Sequence, residues 1–506
     1  MGHSPREQAR RPVRTWLRLT MTFCFAGLVV VQVLLGGAVL AQHLGKVPQY
    51  GDTLDFLRLS VRDDIPAIRG WLYPIVIREF DELNQRQRPA PKGATLWKKR
   101  RQPAALADLD AVQLLQLASC ALAIAYFLRA VFNWSQFGSR RWASFGLVLG
   151  VLWLDAVVVH FGLAIMADAL ALSASLAYCG ALVDLVTRRL TPWIAGPVLV
   201  LSQLTASALR VEKGPVILAV AFLSTAAFFW LARRDKAPAG LARRATWALM
   251  ISAVTFGGYL GIENHLRDAP PVPILIETIL LQRVIYPHLT DIRDALPERT
   301  RDRISTFYAR RFDEHIGNAR RVMDDVAGTD RELRSEITSD MVGTVLTHRW
   351  LPLTADTAKD LVENVFATPS FYVRLAALMS LRSGENSRKL RGDGNKWIWS
   401  RMIGHHPRWV ASHVIVSGLL FVAGLAAAAT QWRADRREPP GGSSAETWIR
   451  VTPSIAFCGV NAAVFALSQD LVQIRYTLFA HVAALALVYH TTLRWLQSIR
   501  RTGCAP

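Results

Sequence analysis

Apolar residues come in runs that alternate with short polar or basic stretches, a pattern too long-ranged for one soluble core. The runs lie at about 19–41, 111–132, 143–160, 165–186, 193–209, 214–232, 246–262, 409–430, 449–468 and 477–493. An apolar stretch of roughly twenty residues is the length a helix needs to cross the hydrocarbon layer. The pattern therefore predicts an all-α, polytopic helical membrane protein with about ten transmembrane helices. The first run could be read as a signal peptide. It is long enough to span and other spans follow, so it is taken as an uncleaved first helix.

Three segments follow from the spacing of the runs. Residues 1–262 form an N-terminal transmembrane module whose first outer loop is 42–108. Residues 263–408 form a helical domain outside the membrane, and residues 409–506 carry the C-terminal transmembrane helices. Within the first loop, the stretch from Ile65 to Phe80 is apolar in part but is broken by Arg69, Gly70, Pro74 and Arg78, so it predicts an interfacial helix. In the insertion, Leu280, Val284 and Ile285, then Ile304, Phe307, Tyr308 and Phe312, then Phe371, Leu375, Leu378 and Met379 recur at helical spacing among charges. They predict amphipathic helices packed as a bundle over the outer face. Ser383 to Asn395 is polar and glycine-rich and reads as a loop.

Charge sets the orientation. The chain has 506 residues, 51% apolar and 19% charged, with a formal net charge of +20. Arginine pairs close the turns at Arg140-Arg141, Arg188-Arg189, Arg233-Arg234 and Arg243-Arg244, and the tail is basic again. Positive residues collect at the cytoplasmic ends of spans, so both termini are expected in the cytoplasm of a multi-pass plasma or inner membrane protein. The run Lys98-Lys99-Arg100-Arg101 then falls outside, against that tendency. The same clustering explains the net charge without nucleic acid, for which no reading motif is present. Cys24, Cys120, Cys179 and Cys458 lie inside apolar runs and Cys504 in the tail, which is neither a disulfide framework nor a metal-binding CxxC pattern. His405, His406 and His413 lack a carboxylate or cysteine to complete a zinc site, so no metal is assigned. No glycine-rich phosphate loop is present.

On this topology the charged turns fall on one side: Asp52 and Asp55 in the first loop, then Asp168, then Arg210, Glu212 and Lys213, then Asp470 and Arg475. Each alone is an ordinary solvated turn, and Asp52 also suits a helix N-cap before Thr53. Their convergence on one face favours a functional reading. Asp155 and His160 lie near one face of the third run and suit a buried hydrogen-bonded pair.

Several of these turns resemble the GT-C superfamily of integral-membrane glycosyltransferases. The first loop carries Tyr50-Gly51-Asp52-Thr53-Leu54-Asp55-Phe56 and then Gly70-Trp71-Leu72-Tyr73-Pro74. In that group an acidic residue follows the first span and a Leu-Tyr-Pro segment follows some twenty residues later. Met166-Ala167-Asp168-Ala169 resembles its short acidic turn, Arg210-Val211-Glu212 an Arg-x-Glu turn, and Ile474-Arg475-Tyr476 an Arg-Tyr pair before the last span. The resemblance covers residues 1–262 and about 447–496 and leaves out the insertion. Many members carry a denser acidic pair in the first loop, which leaves the choice between Asp52 and Asp55 open.

The resemblance implies transfer of a sugar, a hexose such as mannose by the family's habit, from a polyprenyl phosphate to an acceptor on the outer face. It implies Asp52 or Asp55 as general base and Arg475, with Arg210 and Lys213, on the donor phosphate. It also places Asp168, Glu212, Tyr73 and Tyr476 on the donor or acceptor. No cofactor is required, and dependence on a divalent cation is left open. The partners are the bilayer, the lipid-linked sugar and an acceptor of unknown identity. Two other classes compete: a transporter or flippase of a lipid-linked or envelope precursor, and a membrane scaffold whose outer bundle binds a partner. A flippase should show paired, broken helices, and the sequence shows no internal repeat. A scaffold should tolerate loss of Asp52.

Overall fold

The computed structural model describes residues 5–44, 56–57, 59–60, 70–87, 109–233, 240–266, 280–285, 288–308, 323, 326–328, 330–366, 407–435, 444–468 and 477–503. Among these residues there is helix and no strand. Before the insertion the α-helices are α1 (Pro5–His43), α2 (Leu72–Gln87), α3 (Asp110–Val131), α4 (Arg141–Trp153), α5 (Ala156–Leu163), α6 (Asp168–Thr187), α7 (Pro192–Leu209), α8 (Lys213–Ala232) and α9 (Leu241–Leu266). Eight described helices are long and apolar enough to cross a membrane, and nine spans result if one bent pair counts as a single crossing. The chain is an all-α polytopic membrane protein.

The bundle is built around α6. Nearly all of that helix is buried, with α3 on one side and α7 on another. Its end is local chemistry. Arg188 takes a left-handed conformation (φ 59°) and the Arg189 N–H donates back to the Asp184 carbonyl at 3.2 Å, which closes the last turn. Pro192, which has no N–H to lose, then opens α7. Short turns of this kind make neighbours antiparallel, so one end of the bundle carries Asp168 and Arg210 and the other carries Arg129 and Arg189. The longest described helices of the insertion are α10 (Glu298–Tyr308), α11 (Arg331–His348) and α12 (Trp350–Val365), preceded by short helical turns at Leu280–Ile285 and Leu289–Ile292. Ile285, Ile304, Ile337, Met341 and Val345 share a separate small core there, as the helical spacing predicts. Asp330 caps α11 by accepting from the N–H groups of Glu332 and Leu333, both at 3.1 Å. The chain ends with α13 (Pro407–Asp435), α14 (Ser444–Ser468) and α15 (Leu478–Gly503); α12 leans on α14, and α15 packs against α13.

Two expectations are corrected. In the first loop Gly70 and Trp71 are not helical and the helix runs Leu72–Gln87, past Phe80; residues 65–69 lie outside the described residues. Pro74 is tolerated because it sits in the first turn, where backbone N–H groups lack helical acceptors anyway. The run 143–160 is not one straight span. It breaks between α4 and α5, which with the short 3-10 turn Ser135–Arg140 form a pair bent by 59°. The cause is Asp155, whose Oδ1 accepts from the Val157 N–H at 2.9 Å and the Val158 N–H at 3.4 Å, so it starts a new helix.

The first loop is pinned to the Asp168 end by apolar contact. Phe56, Leu57 and Tyr73 are buried with Leu109, Val112, Ile165 and Leu209. Gly70 allows that approach: a Cβ there would lie 2.2 Å from the Leu209 carbonyl oxygen and 2.4 Å from that of Ala208. Backbone atoms on a helix end cannot step aside. Gly70→Ala is therefore expected to destabilise the fold by at least about 1–3 kcal/mol, read as a lowered thermal midpoint in detergent. An unchanged midpoint would mean that this packing is not required.

Candidate functional site

The turns before α6 and α8 bring together four of the residues singled out from the sequence. Arg210 follows the last residue of α7, and its Nη2 donates to Asp168 Oδ1 at the start of α6. Its Nη1 donates to Glu212 Oε1 at 3.3 Å. Both side chains of the Arg210–Asp168 pair are largely buried, where an ion pair holds only with close geometry. Lys213 opens α8. Its Nζ donates to Asn461 Oδ1 on α14 at 2.6 Å and lies 5.2 Å from the ring centre of Phe465 and 5.6 Å from that of Phe457. With all four groups charged the cluster is formally neutral, and Arg210 is held by both Asp168 and Glu212. The cavity they line with Phe465, Leu478 and Phe479 holds about 20 Å³, room for about one water.

Tyr73 stands beneath this cluster. Its hydroxyl donates to Gln116 Oε1 at 2.7 Å. Gln116 Nε2 in turn donates to the carbonyls of Gly162 (2.9 Å) and Ala164 (2.8 Å), and Gln113 Nε2 donates to that of Leu163 (2.7 Å). The two glutamines thus satisfy the carbonyls left open where α5 ends, and they tie the first-loop helix to the turn that presents Asp168. Burial, with the negative charge of Asp168 nearby, pushes the Tyr73 phenol well above its ordinary value, so it stays a neutral donor.

Beside the cluster runs an open groove of about 490 Å³. Its walls are α3 and α7 and its floor is α6, with Leu72 and Val76 of α2 at the Asp168 end. From Leu209 to Val198 it extends roughly 16 Å along α7 at the helical rise, and its lining is mainly apolar. On α6 the groove takes Leu170, Ser173, Ala174 and Ala177, while the charged cavity takes Asp168, Ala171, Leu172 and Ser175. These sets are offset by two residues, about 200° around the helix, so groove and cluster lie on opposite faces of α6. A molecule using both must cross over the α6 N-terminus.

Two features at this depth were not assembled from the sequence, although Asp155 and His413 were singled out there. Glu263, near the end of α9, is buried and accepts from the Tyr259 hydroxyl at 2.5 Å, and that hydroxyl also reaches the Ser207 carbonyl at 3.0 Å. The break between α4 and α5 gathers a polar knot. The Leu154 carbonyl is met by Gln32 Nε2 at 2.8 Å and His413 Nε2 at 2.7 Å, Asp155 Oδ1 pairs with His481 Nε2 at 2.9 Å, and Ser417 bonds Gln32. These residues come from α1, α13 and α15, each isolated in an apolar run. That isolation is the only sequence signal they give.

Asp52, Asp55, Asp470, Arg475 and Tyr476 lie outside the described residues, as do His405 and His406. No family model matches the chain, and no curated protein or solved structure matches it.

Proposed function

We propose that the protein is a membrane glycosyltransferase that moves a sugar, a hexose such as mannose, from a polyprenyl phosphate to an acceptor on the outer face. The observation that carries this reading is the pairing of a buried charged cluster with an apolar groove at the same end of the bundle. A lipid-linked sugar has those two parts: a long apolar tail, which suits the groove, and a charged head, which suits the Asp168 end. In the reaction an acceptor oxygen forms a bond to the anomeric carbon as the bond to the lipid phosphate breaks. The acceptor's proton passes to Asp52 or Asp55, and the phosphate leaves on the lipid, its charge met by Arg475 with Arg210 and Lys213. Asp168 and Glu212 hold Arg210, and Tyr73 and Tyr476 border the donor or acceptor.

This reading comes with a topology of ten spans: the eight apolar helices, the bent pair and α15. Both termini lie in the cytoplasm and the insertion lies outside, over the active face. Reporter fusions after Arg244 and after Arg437 should report cytoplasm, and a fusion near Gly328 should report outside. A cytoplasmic signal at Gly328 would overturn the topology.

The knot at Leu154 and Asp155 favours a second reading. Broken helices with buried ionisable groups are a mark of transporters, so a flippase of a lipid-linked precursor is the competing function. The two separate in one preparation. Purified protein in detergent, given a labelled polyprenyl-phosphate sugar and acceptor hydroxyls, should yield labelled acceptor. Translocation of the lipid in proteoliposomes without transfer would favour the flippase.

A further inference from the structure

At the end opposite Asp168 the bundle buries a cation that its own partners do not satisfy. Arg450, in the second turn of α14, is 4% exposed. Its Nη2 pairs with Glu446, an exposed residue one turn earlier, while Nε and Nη1 have no hydrogen-bond partner. The α14 backbone runs beside α6 here, as the Cys179 thiol against the Pro453 carbonyl shows (3.9 Å). Beyond Glu446, the charge that acts on Arg450 is another cation, the guanidinium of Arg189 at the end of α6, the helix that α14 packs against. Arg189 is exposed and uses only Nη1 among the described residues, to the carbonyls of Arg129 at 3.0 Å and Ala130 at 3.5 Å. Its orientation follows from the left-handed turn at Arg188. Of the carboxylates at this end, Glu446 holds Arg450 and Asp184 is engaged by Arg129 through Oδ2, with the Asp184 Oδ1 left without a hydrogen-bond partner.

Two unmet guanidinium nitrogens beside a second arginine are a costly arrangement for a protein alone, and one that an oxyanion with several acceptor oxygens relieves. The depth of the site says where that oxyanion comes from. Trp142, Trp193, Trp230, Trp247 and Trp448 are all more than half exposed. All five sit at the helix ends on this side of the bundle. Exposed tryptophans mark the headgroup level of a bilayer, so Arg450 and Arg189 stand where lipid phosphates lie.

We propose that Arg450 and Arg189 form a phosphate-binding site for an anionic phospholipid of the leaflet opposite the Asp168 cluster. The site shares no residue with that cluster and is independent of the sugar-transfer reading. Phosphatidylglycerol is the probe, added to full-length protein stripped of lipid in detergent, with bound copies counted by native mass spectrometry. The wild type should retain one tightly held copy. Arg450→Gln and Arg189→Gln should each weaken it by about ten- to a hundred-fold, the effect of losing a charge-assisted hydrogen bond. Arg140→Gln, an exposed arginine at the same level, should change nothing. Because Arg189 is exposed, its variant reports on the site even if Arg450→Gln fails to fold. Displacement of the lipid by inorganic phosphate would assign the site to free phosphate. Retention unchanged in both variants, or weakened equally in Arg140→Gln, would overturn the proposal.

Discussion

Asp52→Asn is expected to abolish sugar transfer while the protein stays folded and still binds its lipid donor. The substitution keeps the size and hydrogen-bonding outline of the side chain and removes only its ability to take a proton. A general base contributes about a hundred- to ten-thousand-fold in rate, so the loss should approach the background of the assay. The packing of the loop favours this face for the chemistry. Phe56 and Leu57, which directly follow Asp55, are buried against Tyr73 and Leu209 at the end that carries Asp168. Under the proposed function donor binding should survive, because that reading has the phosphate met by cations and the tail by apolar helices. The measurement is transfer from a labelled polyprenyl-phosphate sugar, with donor retention read separately. Full activity in Asp52→Asn with a dead Asp55→Asn would move the base by three residues and keep the mechanism. Full activity in both would remove the first loop from the reaction, and a scaffold would then be the better account.

The class of fold was legible because it rests on a long-range signal of low complexity. Asp168 and Arg210 are 42 residues apart. Yet once the runs between them are counted as two helices joined by a basic turn, both must fall at the same end. Which of them pair was not legible, since a turn residue's partner depends on how helices pack. The kink at Asp155 did leave a local mark, an N-cap residue before an apolar helix, but the surrounding aliphatic run hid it. Gln32, His413 and His481 could not be joined from sequence. They lie on three helices far apart in the chain, and their common purpose, satisfying a backbone carbonyl and an aspartate at a helix break, exists only after the break is known. Glu263 and Asn461 were missed for a similar reason: each lies within or beside a hydrophobic run, and although Tyr259 stands one turn before Glu263 on α9, the partner of Asn461, Lys213, is on another helix. In the insertion, Ile285 and Ile304 were expected on helices from their spacing and share a core.

Breaking the Asp168–Arg210 pair should have the largest effect on the fold of any single change at the candidate site. The pair is largely buried, and removing one member of such a pair costs about 3–5 kcal/mol because the other charge is left without its partner. Asp168→Ala leaves Arg210 with Glu212 alone. Arg210→Ala leaves Asp168 beside Phe465 and Phe479 with Lys213, itself held by Asn461, as the cation in its cavity. Both should lower the thermal midpoint in detergent. The double variant Asp168→Leu with Arg210→Met removes both charges at similar volume and should recover most of that stability, since a buried pair is often no better than apolar packing. Transfer activity then separates two roles. If the pair only holds the turn together, the stable double variant regains activity. If Arg210 exchanges partners to meet the donor phosphate, stability returns and activity does not. The carboxylates that already hold Arg210 make the exchange the step to test, since a phosphate that reaches Arg210 does so in competition with Asp168 and Glu212. An Asp168→Ala variant as stable as the wild type would show that the pair does not hold this end of the bundle.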